Sequence, residues 1–339
     1  MFKKIKLGLL VSVSSLVLLS ACGGGGTATT SSGEKSVSLR LAHNQGTDHP
    51  VHKSLEEFTK LAKEESDNSV NVQVFPSGQL GQERDVIELV QSGTLDLAKV
   101  SASALESFED SYSIFSLPYV FKSQEHYYNV MDNSKSVQEI YKLSKDKGFI
   151  ALGWYDAGQR NVYTGDKEVK SPKDLAGMKI RVQESQTSIA MIKAMGGSPT
   201  PMAFGEVYTS LQQGIIDGAE NNITALTVNK HGEVAKAYTL TEHQYVPDIL
   251  IVSTKTWDKL SDSQKDTLAN AVKESSESHK KVWADAVKSE EEAAEKLGVK
   301  MYEIDKEPFI KAAEPLHEEF VKKNESYKKY FEDFQAQNK

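Results

Sequence analysis

Residues 37–100 read VSLRLAHNQGTDHPVHKSLEEFTKLAKEESDNSVNVQVFPSGQLGQERDVIELVQSGTLDLAKV, and the periodicity of this stretch decides the fold. Val37 to Ala42 alternates apolar and polar side chains, the period-two mark of a strand. Pro50 opens a helix on which Leu55, Phe58, Leu61 and Ala62 recur at helical spacing, ending before Asp67-Asn68. Val70, Val72 and Val74 form a second strand, stopped by Pro76-Ser77-Gly78. A helix from Glu83 to Gln91 buries Val86, Ile87, Leu89 and Val90, and Leu95 to Val100 is a third strand. Strands alternating with helices in this order predict a parallel, doubly wound α/β sheet.

Beyond residue 148 the pattern restarts. Phe149 to Tyr155, Asn161 to Thr164 and Met178 to Gln183 read as strands, and Pro172 to Leu175 as a turn or short helix. Ile189, Ile192, Ala194 and Met195 lie on a helix ending at Gly196-Gly197, and a further helix runs from Phe204 to Gln213. Ile215 to Asp217 is read as a short strand, Gly218 to Asn222 as a polar turn, and Ile249 to Ser253 as another strand. Helix formers run from Ser261 to Leu297, roughly 55 Å if continuous. That exceeds one small domain, so this helix is expected to brace two.

The chain has 339 residues, enough for two domains with real cores. Hydrophobic residues at 39% and charged residues at 26% describe a soluble globular protein. A formal net charge of −8 argues against nucleic acid, whose phosphates require a concentrated basic stripe. One cysteine excludes a disulfide framework and cysteine-rich metal sites.

That cysteine has a particular place. Lys3, Lys4 and Lys6 precede an apolar run from Leu7 to Leu19, and Leu19-Ser20-Ala21 leads directly into Cys22. The run is too short to span a bilayer and reads as a secretory signal. Its boundary resembles a bacterial lipobox, which implies a diacylglyceryl anchor on Cys22 and a signal peptide over 1–21. Two acyl chains suffice for stable anchoring. Residues 22–36, rich in glycine, serine and threonine, are expected to be a tether. Outside the cytoplasm no nucleotide cofactor is supplied, and none is expected.

Several enzyme signatures are missing, among them G-x-G-x-x-G, the P-loop, H-E-x-x-H and G-x-S-x-G. His43, His49 and His52 are spaced for either a metal cluster or a polar loop with a helix cap, and no further carboxylate–histidine set completes a metal site. Met178 to Gln183 alternates strictly and puts Arg181 on the polar face at the strand end. Arg181 fits a solvated surface position or a ligand contact, since ligands of open α/β sheets bind beyond the carboxyl ends of strands. Arg160, close to Gly158, stands open to the same two readings.

The motifs Lys179-Ile180-Arg181-Val182, Ala194-Met195-Gly196-Gly197-Ser198-Pro199-Thr200-Pro201-Met202, Phe204-Gly205-Glu206-Val207-Tyr208, Leu211-Gln212-Gln213-Gly214 and Asp217-Gly218-Ala219-Glu220-Asn221-Asn222 follow one another in order. Together with Phe75-Pro76-Ser77-Gly78-Gln79-Leu80-Gly81 and Leu117-Pro118-Tyr119-Val120-Phe121, they resemble the DctP-type solute-binding proteins of tripartite ATP-independent periplasmic (TRAP) transporters. The resemblance covers nearly the whole chain from Leu39 to about Pro315. It implies a periplasmic-binding-protein-like α/β fold of two domains closing on an organic acid, braced by a long helix. The expected division is 37–157 with about 247–285 for the first domain, and 158–246 with about 286–339 for the second.

The resemblance puts the family's carboxylate-binding arginine on Arg181, its second cleft arginine on Arg160 and its asparagine on Asn221, beside Glu220. Asn44, Gln45, His49 and Glu106 are the first-domain candidates, from loops at strand ends. Ser101 stands where sialic-acid-binding members carry a polar group near the third strand, which disfavours sialic acid. Asn44-Gln45 with Asp48-His49-Pro50 suggests several hydroxyls to satisfy, as on a hexuronate, with a C4-dicarboxylate next. The implied partners are a small carboxylate, TRAP permease subunits and, through Cys22, the lipid bilayer; a monomer, with no metal or catalytic residue, is expected. A sensory lipoprotein presenting its ligand to a receptor kinase, and a secreted hydrolase, are the alternatives from other classes.

Overall fold

The computed structural model describes residues 35–323 and 325–338. The expected signal sequence and Cys22 lie outside the described residues. Eleven strands are described: β1 (Val37–Ala42), β2 (Val70–Phe75), β3 (Leu97–Ser101), β4 (Phe149–Tyr155), β5 (Gln159–Thr164), β6 (Lys179–Val182), β7 (Ser198–Pro201), β8 (Gly218–Asn221), β9 (Ala237–Tyr245), β10 (Asp248–Ser253) and β11 (Lys300–Tyr302). They form two sheets, with orders β2-β1-β3-β10-β4 and β11-β9-β5-β8-β6-β7.

The alternation in residues 37–100 folds as expected. Helices α1 (Pro50–Glu65) and α2 (Glu83–Ser92) connect β1, β2 and β3, which pair in parallel. Leu55, Phe58 and Ala62 of α1 pack under one face of the sheet, while Val86, Ile87 and Val90 of α2 pack under the other. The same sheet also takes in β10, which runs antiparallel to both β3 and β4. The physical reason is its origin: β10 enters from the second lobe, so it needs no crossover helix and runs against its neighbours.

Two further expectations change in the second lobe. Ile215 to Asp217 is a turn, with Ile215 half exposed, and the strand is Gly218–Asn221 one step later. The segment read as a polar turn is therefore a buried strand, because Glu220 and Asn221 find polar partners inside the protein. Strand β9, nine residues long, carries Thr239, Thr241, His243 and Gln244 at buried positions and so lacks an apolar signature.

The chain crosses between lobes from β4 to β5 and from β9 to β10. At the first crossing, Asp156 Oδ1 accepts from Gly158 N at 2.8 Å, and Gly158 has φ +69°. A Cβ there would stand 2.7 Å from the buried Trp283 ring, so both backbone conformation and space require glycine. Trp283 belongs to α3 (Asp262–Lys296), capped by the reciprocal Ser261–Gln264 box, which packs on α1 and β4 and reaches β11 of the other sheet. This is the expected lobe-spanning brace.

Helix α4 (Glu307–Lys323) also bridges: Phe309 lies in a second-lobe cluster and Phe320 in the first-lobe core. The sequence grouped 286–339 with the second domain. Tyr327, Tyr330 and Phe334 of α5 (Glu325–Ala336) instead join the first core, Phe334 against the Phe115 and Phe121 rings.

Candidate functional site

The antiparallel register of β5 and β8 sets Val162 against Glu220. Arg160, two residues before Val162, shares that face and meets Glu220 diagonally. Arg160 Nε donates to Glu220 Oε2 at 2.6 Å and Nη2 donates to Oε1 at 2.9 Å, a bidentate pair of buried groups. Nη2 also donates to the Glu220 carbonyl oxygen, and Nη1 donates to Asn221 Oδ1 at 2.9 Å. Thr241 and His243 share a hydrogen bond of 2.8 Å, and His243 Nε2 lies 3.3 Å from Glu220 Oε2. Burial alone would raise the Glu220 pKa, but the Arg160 charge and the hydrogen bonds from His243 and Arg160 hold it at about 2.

Arg181 is handled differently. Its neighbours Ile180 and Val182 face an apolar cluster with Met191 and Met195, so Arg181 points to the opposite face of β6. The guanidinium lies over the Phe204 ring, 5.8 Å from its centroid, and Nε and Nη2 both donate to the Met202 carbonyl, at 3.1 and 2.9 Å. These contacts fix its plane. Among the described residues no carboxylate forms an ion pair with it. Burial lowers its pKa, with Glu220 acting against that from a distance.

Arg181, Asn221, Asn44, Gln45 and His49 line one crevice between the lobes, with about 40 Å³ of free space. Gln45 Oε1 accepts from Asn229 Nδ2 at 3.0 Å, and His49 Nε2 lies 3.1 Å from Thr224 Oγ1, so both residues already tie the lobes together. The His49 Nδ1 atom accepts from Val51 N at 3.2 Å, which leaves the proton on Nε2. Burial, then the nearby Lys99 charge, push the His49 pKa well below its ordinary value. Asn44 Oδ1 and, from the second lobe, Gln183 Oε1 are buried without a hydrogen-bond partner.

Sequence reasoning missed part of the first-lobe wall. Lys99 on β3 and Asp248 at the head of β10 both line the crevice, with Nζ and Oδ2 2.9 Å apart. Half-buried Glu83, at the start of α2, accepts from the backbone N–H of Ser101 at 2.9 Å and faces the same space. A lysine inside the apolar run Leu97-Ala98-Lys99-Val100 was the available signal for this wall.

The other sequence candidates fall elsewhere. Arg160 and Glu220 lie behind the crevice, spent on each other. Glu106 is outside it, accepting from Ser185 Oγ at 2.5 Å and from Thr187 N and Oγ1 at 3.1 and 2.9 Å. Of the histidines, His43 Nε2 and His52 Nδ1 lie 3.0 Å apart and share a hydrogen bond.

Comparison with known proteins gives a consistent picture. Residues 41–324 match the family described as bacterial extracellular solute-binding protein, family 7. The chain is 42% identical over 293 residues to an uncharacterized protein, YiiZ, of Salmonella typhimurium, covering 86% of this chain and 89% of that one. It is similar, at 40% identity and a TM-score of 0.87, to a TRAP periplasmic solute-binding protein from Anaerococcus prevotii solved with bound α/β-D-glucuronate; the match covers 89% of this chain and 98% of that one. A TRAP solute-binding protein from a Sulfitobacter species, solved with β-D-galacturonate, matches at 34% identity and a TM-score of 0.85, over 88% of this chain and all of that one.

Proposed function

The chain belongs to the family 7 bacterial extracellular solute-binding proteins, and from that premise we propose that it captures a hexuronate and delivers it to the membrane permease of a TRAP transporter. The observation that carries this reading is Arg181: a buried guanidinium, held flat by Met202 and Phe204, facing an interlobe crevice with no ion-pair partner among the described residues. A planar fork of N–H donors matches a carboxylate, which a lysine point charge does not. The bound glucuronate and galacturonate of the two similar structures support a sugar acid as the source of that carboxylate.

Capture follows from the geometry. One water needs ~10–15 Å³ of such space, so the crevice as it stands suits a few waters, and a sugar acid enters when the lobes part. Closure then removes solvent from Arg181 and its guest, and the charged hydrogen bonds strengthen as water leaves. The closed form is favoured by the ligand to the extent that it makes contacts to both lobes at once. The crevice offers those contacts from Arg181 and Asn221 on one side and Asn44 on the other.

We place the protein outside the cytoplasm, tethered through a lipid on Cys22. The sequence Leu19-Ser20-Ala21-Cys22 supports this reading. Cys22→Ser should release the protein from the membrane fraction, and retention of that variant at the membrane would overturn the anchor. For the ligand, the test is a thermal-shift and calorimetric screen of stripped protein against uronates, aldonates, C4-dicarboxylates, keto acids and sialic acid. A ligand at about 100 times its Kd adds roughly 2.7 kcal/mol to stability. A hexuronate should give the largest rise; a response confined to C4-dicarboxylates would replace it.

A further inference from the structure

Among the described residues, three cations and three carboxylates belong to the crevice and the layer behind it, and they are not interchangeable. Arg160 is consumed by Glu220. Lys99 is consumed by Asp248, with Nζ 2.9 Å from Oδ2 and only 1% of the lysine exposed. Arg181 is the cation without a protein counter-ion among the described residues, and Glu83 adds a further carboxylate to the same space. One anionic group on a guest therefore has a partner, and a second does not.

From this arrangement we infer that the Lys99–Asp248 pair is the specificity-determining element of the site: it receives the hydroxyl-rich end of a monoanionic sugar acid and rejects sugar acids with a carboxylate at both ends. The inference rests on the hexuronate reading above and goes beyond it. An ammonium has three donors and a carboxylate about four acceptor positions, so a salt-bridged pair at a cavity wall keeps both kinds of group to offer. A hydroxyl is a donor and an acceptor at once and can bond to both partners without adding charge. A second carboxylate would meet Asp248 and Glu83 across a dry gap, and Lys99 could turn to it only by leaving Asp248 unpaired.

The pair is also placed to be rigid. Lys99 and Asp248 stand on adjacent antiparallel strands, with Asp248 in register with Ser101 and Lys99 with Leu250. Asp248 opens β10 immediately after the second crossing between lobes, so the pair sits where the first-lobe wall meets the hinge.

The test compares D-glucuronate with D-glucarate, which differ by oxidation of the far carbon to a second carboxylate, using calorimetry on wild type, Asp248→Asn and the double variant Lys99→Gln/Asp248→Asn. Wild type should bind glucuronate at least 100-fold more tightly than glucarate. Asp248→Asn frees the Lys99 charge, so the ratio should narrow by tenfold or more through a gain in glucarate affinity, a change that damage to the fold does not produce. The double variant removes both charges and should still reject glucarate while binding glucuronate about tenfold more weakly; it also serves if Asp248→Asn does not fold. Glucuronate binding with an unmoved ratio in Asp248→Asn, or wild-type affinity in the double variant, would overturn the role of the pair alone. Failure of wild type to bind any hexuronate would overturn the reading beneath it.

Discussion

Arg160 and Glu220 face each other across β5 and β8 in a bidentate ion pair, with Nε–Oε2 at 2.6 Å and Nη2–Oε1 at 2.9 Å, and Glu220 is wholly excluded from solvent. Arg160 is thus paired within the protein, while Arg181 has no ion pair among the described residues, and the proposed site rests on that difference. Asn221 links the two layers: its Oδ1 accepts from Arg160 Nη1 and from the backbone N–H of Asn222, while its side chain lines the crevice.

Arg181→Ala should remove ligand binding. Loss of one partner of a buried, hydrogen-bonded ion pair costs about 3–5 kcal/mol, roughly 10²–10³ in affinity and upward. Arg181→Lys should recover only part of it, because a point charge cannot make two parallel hydrogen bonds. Calorimetry decides: wild-type affinity in Arg181→Ala would show that the acid binds elsewhere.

Glu220→Ala should act on folding before it acts on binding. It leaves the Arg160 guanidinium buried and uncompensated, at about 3–5 kcal/mol. Urea unfolding of ligand-free protein should therefore show a lower midpoint. An unchanged midpoint with lost binding would return Arg160 and Glu220 to the ligand's own contacts.

Stability should fall on acidification from neutral pH. Burial lowers the pKa values of His43 and His231 to about 3 and of His279 to about 4, against an ordinary 6.5. Below pH 6.5 the unfolded chain takes up protons that the folded one refuses, so the loss begins there and continues towards pH 3. Glu220, held at about 2 against an ordinary 4.5, adds stability above pH 4.5 that is lost as pH falls through its folded value. Asp156 works the other way: burial raises it to about 6 from 3.8, so its cost to the fold appears as pH rises between those values. Between pH 7 and 4 the three histidines outweigh Asp156 and the carboxyls of Glu83 and Glu106, which burial also raises, and Glu220 adds its loss below pH 4.5. Melting temperatures flat between pH 7 and 4 would contradict this balance.

His49→Ala should weaken binding through closure. The variant removes the bond to Thr224, one of the contacts that exist only with the lobes together, worth about 1 kcal/mol. An affinity loss near fivefold is expected, with small-angle scattering showing a more open average shape at subsaturating ligand. A loss as large as that of Arg181→Ala would instead make His49 a principal ligand contact.

Much of the fold was legible in the sequence. The alternating valines of β2, the helical spacing of Leu55, Phe58 and Ala62, and the unbroken helix formers of α3 are local patterns, and each became the element it announced. Arg181 was legible for the same reason, since strict alternation between Ile180 and Val182 leaves it no other face. By itself, then, the sequence determined the strands and helices with strong local periodicity, and on which side of its strand the Arg181 guanidinium lies.

What it could not determine was who pairs with whom. Strand β8 looked like a turn because Glu220 and Asn221 are polar, and their burial makes sense only once Arg160 and His243 arrive from other strands. Lys99 is a charge inside an apolar strand, and its partner Asp248 lies 149 residues away along the chain. Charge compensation in a low-dielectric interior depends on distances of a few ångströms between residues remote along the chain, and only the tertiary structure sets those distances. It was therefore the fold that decided which arginine was paired within the protein, Arg160, and which has no ion pair among the described residues, Arg181.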